Sequence, residues 1–147
     1  MRLNVSTYYG MQIILHLAQN EKRISSAELS ESLYISKRYV SQIAQKLREG
    51  NLITTHAGMN GGYMLNKVAS SISIYDLLTL LEDGIEIPDI QSADDDLLHT
   101  TLSVSTEYLI ALYKKVTFDQ LAGFENSGRF HKIKTLIESH IEAIVNQ

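Results

Sequence analysis

The sequence predicts a mainly α-helical fold that carries one two-stranded β-hairpin, and three observations support that class. Residues 36–50 hold apolar side chains at helical spacing, β-branched and aromatic residues take over after Gly50, and residues 92–147 return to helical spacing in two long stretches. The periods differ because a helix turns once in 3.6 residues, which puts i, i+3, i+4 and i+7 on one face. A strand alternates faces at every residue.

Residues 6–19 (STYYGMQIILHLAQ) predict the first helix, with Tyr8, Met11, Leu15 and Ala18 on one side and Ile13, Ile14 and Leu17 widening the buried face. Gly10 is its weak point, since glycine costs helix stability. His16 has no carboxylate or second histidine near it in sequence, so it reads as a core or boundary residue rather than a ligand. Residues 20–23 form a polar turn. Ser25 and Glu28 then have the spacing of a capping box, which starts a short helix running to about Leu33. The chain turns at Tyr34 and Ile35.

The next helix takes Ser36 as N-cap and Gly50 as its C′ residue, a length of about four turns. Val40, Ile43, Ala44 and Leu47 form its buried face. Arg38, Ser41, Gln42 and Gln45 repeat the same spacing two positions earlier, which is about 200° around the axis. This second stripe therefore faces away from the core and carries only cationic or hydrogen-bonding side chains, the groups that read base edges in a groove. Strands at 52–56 and 63–65 flank residues 57–62 (AGMNGG), a segment suited to positive φ, so a hairpin follows. Two helices joined by a tight turn and followed by a hairpin make a winged helix-turn-helix. A helix followed by a structural hairpin with no partner is the rival reading of this stretch alone.

Downstream, Ser92 caps a helix predicted to reach about Val116. Asp95 and His99 lie four apart on it and invite a metal, but acids such as Asp94, Asp95 and Asp96 are favoured in a first turn by the helix dipole, so no metal site is expected. Leu98, Leu102, Ser105, Leu109, Leu112 and Val116 recur in steps of four and three, a narrow seam for a partner helix, with an intramolecular core face as the alternative. Residues 117–120 (TFDQ) give another capping box for a short helix through Leu121 that ends near Gly123. After a break at 126–128, residues 129–147 predict a last amphipathic helix with Phe130, Ile133, Ile137, Ile141 and Ile144 inward and His131 and His140 on its flanks. The organisation expected is a winged helix-turn-helix domain at 1–84 and a helical dimerisation and effector region at 85–147.

A chain of 147 residues with 44% hydrophobic and 20% charged residues is ordinary for a soluble globular protein. It has no apolar run near the roughly 20 residues that span a membrane and no basic-then-apolar leader, so a cytoplasmic protein without membrane contact is expected. It contains no cysteine, which excludes disulfides, thiolate chemistry and cysteine-ligated clusters. The net charge of −4 is divided unevenly: residues 1–67 hold eight Lys/Arg against four Asp/Glu, and the remainder five against thirteen. A polyanion would meet the first half and be repelled by the second.

Several motifs taken together resemble one family. Met1-Arg-Leu opens the chain, Ile35-Ser-x-x-Tyr39-x-x-Gln42-Ile43 begins the third helix, and Leu47-Arg-x-x-x-Leu52-Ile53 leaves it. The hairpin has Gly61-Gly-Tyr63-x-Leu65, and Ile72-x-Ile74-x-Asp76-Leu77-Leu78 leads to Leu81-Glu-Asp-Gly84. As an ordered set spanning roughly residues 1–122, they resemble the Rrf2 family of bacterial winged helix-turn-helix transcription regulators. The resemblance implies that Arg38, Ser41 and Gln42 face DNA bases, that Tyr39 lies near the start of the recognition helix, and that the dimer forms through the long helix. It also implies an Arg just before the first Gly of the wing, where this sequence has Ala57, with His56 as the polar residue beside it. Members that sense through a cluster or a thiol use cysteines after Glu82-x-Gly84; here residues 85–96 read IEIPDIQSADDD.

The function expected is thus a homodimeric, sequence-specific DNA-binding transcriptional regulator, a repressor on a palindromic operator, using neither an iron–sulfur cluster nor a thiol sensor. Double-stranded DNA, a second copy of the chain and a small-molecule or protein effector are its expected partners, and no cofactor is expected. The DNA-contact residues expected are Ser36, Lys37, Arg38, Tyr39, Ser41, Gln42, Gln45, Lys46, His56, Gly61 and Gly62. The dimer contacts expected are Leu98, Leu102, Leu109, Leu112 and Val116. No phosphate loop, nucleophile elbow or paired His and carboxylate motif is present, so an enzyme is not expected. A winged-helix protein-interaction module with little or no DNA binding is the alternative.

Overall fold

The computed structural model describes residues 3–82, 97–124 and 128–146. In chain order they form α1 (Val5–Ala18), α2 (Ser26–Leu33), α3 (Lys37–Glu49), β1 (Ile53–His56), β2 (Gly62–Leu65) and a single 3-10 turn (Ala69–Ser71). Then come α4 (Ile74–Leu81), α5 (Leu97–Lys115), α6 (Phe118–Ala122) and α7 (Arg129–Val145). The strands are antiparallel, with Ile53 opposite Leu65 and His56 opposite Gly62.

The core is built from one face of each helix in the first part of the chain. Helix α1 contributes Thr7, Gly10, Ile13, Ile14 and Leu17, whereas Tyr8, expected on the buried side, is 55% exposed. Met11, Leu15 and Ala18 pack at the edge of this core. The core stripe of α1 is therefore rotated from the predicted one, because Ile13, Ile14 and Leu17 set the face and Gly10 continues it. A Cβ at Gly10 would come within 2.6 Å of Leu81 Cδ1, so this glycine admits α4 against α1. Leu29 of α2, the Val40, Ile43, Ala44 and Leu47 face of α3, and Ile53 and Tyr63 of the hairpin complete the layer.

Two segments depart from the expected boundaries. Gly50 caps α3 with φ of −77°, and Asn51 at φ of 56° takes the left-handed position instead. More consequentially, residues 116–122 return to the first part of the chain. Ile74 N–H donates to Val116 O at 3.0 Å, Phe118 N–H donates to Ile72 O at 2.9 Å, and the Phe118 ring is fully buried in the core. A cut at residue 84 would separate Phe118 from the side chains it packs on, so the winged body is discontinuous in sequence. Val116 is only 4% exposed within one protomer, which removes it from the outward seam predicted for it.

Helices α5 and α7 pack on each other, and neither contains a buried residue. Their shared groove, of about 330 Å³, is lined by Ser105, Tyr108, Leu109, Leu112, Ile141 and Ile144. Phe130, expected inward, is 84% exposed. Lys114 Nζ stands 4.8 Å from the centroid of Tyr75 and links α5 to α4. The predicted Ser92 cap and the Asp94–Asp96 run lie outside the described residues. Among the described residues no helix is long and apolar enough to cross a membrane.

Candidate nucleic-acid interface

The interface is assembled from local signals that each fix one end of a helix. Ser25 and Glu28 close a reciprocal capping box at the start of α2, with the Ser25 N–H donating to Glu28 Oε2 at 2.8 Å. These bonds, the backbone one first and the hydroxyl one second, hold the Glu28 carboxyl below the ordinary glutamate range. Tyr34 ends α2 in the left-handed conformation at φ of 55°, which makes the tight turn. Ser36 then accepts the Tyr39 N–H at 3.2 Å and starts α3.

On α3 the predicted division of faces is realised. Val40, Ile43, Ala44 and Leu47 are buried, while Lys37, Arg38, Ser41, Gln42, Gln45 and Lys46 are exposed. The Ser41 hydroxyl donates to Lys37 O at 3.0 Å and keeps its lone pairs outward, and Gln45 Nε2 donates to Glu49 Oε1 at 2.9 Å. Arg38, Gln42 and Lys46 make no side-chain hydrogen bond or ion pair with another described residue. Tyr39 is different: its half-buried ring meets Tyr9 edge-on at 5.9 Å and 80°. Its aromatic body is thus committed to fixing α3 on α1.

The wing rises beyond β1. His56 is half-buried, with Nε2 3.4 Å from Thr54 Oγ1. At Gly61 a Cβ would collide with the carbonyl oxygens of His56 and Gly58, and at Gly62, with φ of 154°, it would lie 2.5 Å from Ile24 O. Only glycine fits either position, and the Gly61 N–H closes the turn by donating to Gly58 O at 2.9 Å. The wing tip, residues 57–60, is exposed.

Ile24 pairs with Tyr63 as an isolated bridge on the outer side of β2. This brings the turn between α1 and α2, read from sequence as merely polar, beside the wing. The signal was the lone β-branched Ile24 in a polar stretch. A concavity of about 430 Å³, with Ser6, Tyr39, Gln42, Lys46 and Leu81 among its walls, lies between α1, α3 and the end of α4. At that end Glu82 accepts Asn4 N–H at 2.6 Å and Asn4 Nδ2 at 2.8 Å. Among the described residues the buried Thr7 hydroxyl makes no well-formed hydrogen bond, yet it and the Asn4 N–H hold the Glu82 carboxyl below its usual range.

Fold and site together define a winged helix-turn-helix protein of the DNA-binding class. The chain belongs to the Rrf2 family: the model of that family, described as an iron-dependent transcriptional regulator, matches residues 3–123. It is 27% identical over 147 residues to the HTH-type transcriptional regulator IscR of Klebsiella pneumoniae, covering 92% of this chain and 90% of that protein. It is similar in fold to CymR, the global cysteine regulator of B. subtilis, at a TM-score of 0.76 and 22% identity over 86% of this chain and 99% of that one. T. potens IscR superposes with a TM-score of 0.68 at 21% identity, over 88% and 96% of the two chains. The chain is therefore a DNA-binding transcription regulator, and no enzymatic family is indicated.

The family description raises the question of iron. A cysteine-ligated cluster does not fit these residues, because the 147 residues contain no cysteine. Among the described residues no three His, Asp or Glu side chains converge on a point that could hold a metal.

Proposed function

We propose that this regulator acts in the cytoplasm as a homodimeric repressor that reads a palindromic operator, without an iron–sulfur cluster or a thiol sensor. The observation that carries the reading is the exposed stripe of Arg38, Ser41, Gln42 and Gln45 on α3, opposite a fully buried face. Arg38 suits guanine O6 and N7, and Gln42 suits adenine N6 and N7. Ser36, Lys37 and Lys46 would position the protein on phosphates, Gly61 and Gly62 would let the wing backbone approach the duplex with no side chain between, His56 would lie at the wing, and the Tyr39 hydroxyl would flank the start of the helix.

Dimerisation is supported by the apolar surface left on α5, where Leu98 is 74% and Leu102 55% exposed, continuous with Tyr108 and the Leu109 and Leu112 groove. Repression needs no contact beyond this, because a dimer over promoter DNA excludes polymerase. A small molecule or a partner protein is the effector in this reading.

Selection of bound duplexes from a random pool by the purified chain tests it. The expected product is two inverted half-sites about 34 Å apart, one helical turn. A pool without enrichment would instead favour the protein-interaction module.

A further inference from the structure

The wing, residues 53–65, carries no Lys or Arg, yet two cations stand beside its tip. Ile24 N–H donates to Tyr63 O at 3.1 Å and Tyr63 N–H donates to Ile24 O at 2.8 Å, so the turn between α1 and α2 is fastened to the outer edge of β2 by a complete backbone pair. Lys22 and Arg23 immediately precede this pair. With Glu28, Met59, Asn60 and Gly61 they line a concavity of about 470 Å³.

Both cations are exposed, and neither forms an ion pair with another described residue. Two anions lie near. Glu28 shares the rim and its carboxylate feels the Lys22 charge, but its hydrogen bonds go to the Ser25 N–H and hydroxyl, both at 2.8 Å. Glu21 lies in the same turn, outside the residues that line the concavity. Met59 at the tip is 103% exposed.

We propose that Lys22, Arg23 and the wing tip form a second DNA-contact site, whose ligand is the phosphodiester backbone beside the groove that the wing enters. The proposal rests on the DNA-binding reading and extends it to residues of a different loop. Its physical basis is preorganisation. Cations on a free loop would lose conformational freedom on binding, whereas these are held by a strand edge before the duplex arrives. Charge is thereby supplied from the side of the wing, not from within it, while apolar Met59 is left at the tip, a residue type that can wedge against base steps in a minor groove.

The test measures affinity against salt for two probes, the duplex recovered by selection and the same duplex with its sequence shuffled. Lys22→Gln/Arg23→Gln should flatten the slope of log affinity against log salt by about 1.8 per bound protomer, since each neutralised phosphate contributes about 0.9. The ratio of cognate to shuffled affinity should not change, because phosphate contacts carry no base information. Met59→Glu should lower affinity for both probes by placing an acid in the concavity. All three positions are exposed, so circular dichroism should show an unaltered fold. A wild type that binds with a steep slope, together with a double variant of the same slope, overturns this proposal and leaves the DNA-binding reading intact. A wild type that binds neither duplex overturns both.

Discussion

The winged body and the α5–α7 pair are made of similar residue types but solve different problems. In the winged body the helices converge on one core, α1 and α3 with a continuous face and α2 and α6 with a single residue each, and that core, from Ile13 to Phe118, is closed within one protomer. In the pair, 19 and 17 residues of helix leave no side chain buried. Leucines at helical spacing exist in both, so spacing alone does not say whether a stripe is spent inside the chain or kept for another. The distinction follows from how many elements converge: α1 meets α2, α3, α4, α6 and β2, whereas α7 packs chiefly on α5, with one polar approach to α6 where Gln120 Nε2 lies 3.4 Å from His140 Nε2.

The sharpest way to break the comparison is through Phe118, which lies late in the chain but inside the early core. Phe118→Ala should cost about 3–5 kcal/mol, much of the stability of an ordinary domain. Urea denaturation checks this; a loss below about 1 kcal/mol would mean that α6 is an appendage and that the body ends near residue 82.

The second test addresses the pair. Leu102→Glu should leave the protomer folded but remove a leucine contact worth about 1.5–3 kcal/mol from each copy. Light scattering should then report a monomer, with weakened operator binding. This position is preferable to Leu109 and Leu112, which already contact α7 and whose replacement would also disturb the protomer. A dimer that persists with an unaltered association constant moves the interface off this face of α5.

Third comes the surface that the winged body spends on DNA. Arg38→Ala and Gln42→Ala should each cost about 1–3 kcal/mol at one base position and relax preference there, with protomer stability unchanged. Competition against single-base operator variants reads this. Equal losses on every variant would reassign both side chains to phosphate.

These expectations divide along what a linear sequence can express. The helix starts at Ser25, Ser36 and Thr117 were legible because capping is a local interaction between residues three apart. The buried face of α3 was legible because its polar and apolar stripes contrast. In α1 the stripe was misjudged at Tyr8, since tyrosine and isoleucine both count as apolar and the choice between faces is made by α4 and α6. The return of Val116 and Phe118 to the core was hidden for the same reason: a backbone pairing between residues 72–74 and 116–118 leaves no local mark. Lys22 and Arg23 reach the wing through the Ile24 and Tyr63 bridge, a contact nearly forty residues long in sequence that only the fold reveals.

The smallest effect expected concerns acid, and it too separates the regions, because Glu28 and Glu82 both serve the winged body. Each has a folded value below that of an unfolded glutamate, about 4.3. The folded state therefore prefers the carboxylate, so the contribution is complete above the unfolded value and is lost as the pH falls through the depressed folded values. Glu28 is exposed and Glu82 half-buried at the surface, and solvent screening keeps the contribution modest. Urea midpoints measured from neutral pH downward should fall for the wild type in that acidic window. Glu28→Gln/Glu82→Gln should start lower at neutral pH and fall less steeply through the same window, because the two groups whose protonation weakens the fold are gone. Parallel curves for the two proteins would show that the Ser25 box and the Asn4 clamp hold equally well with neutral partners. Acid sensitivity would then have to come from other carboxylates.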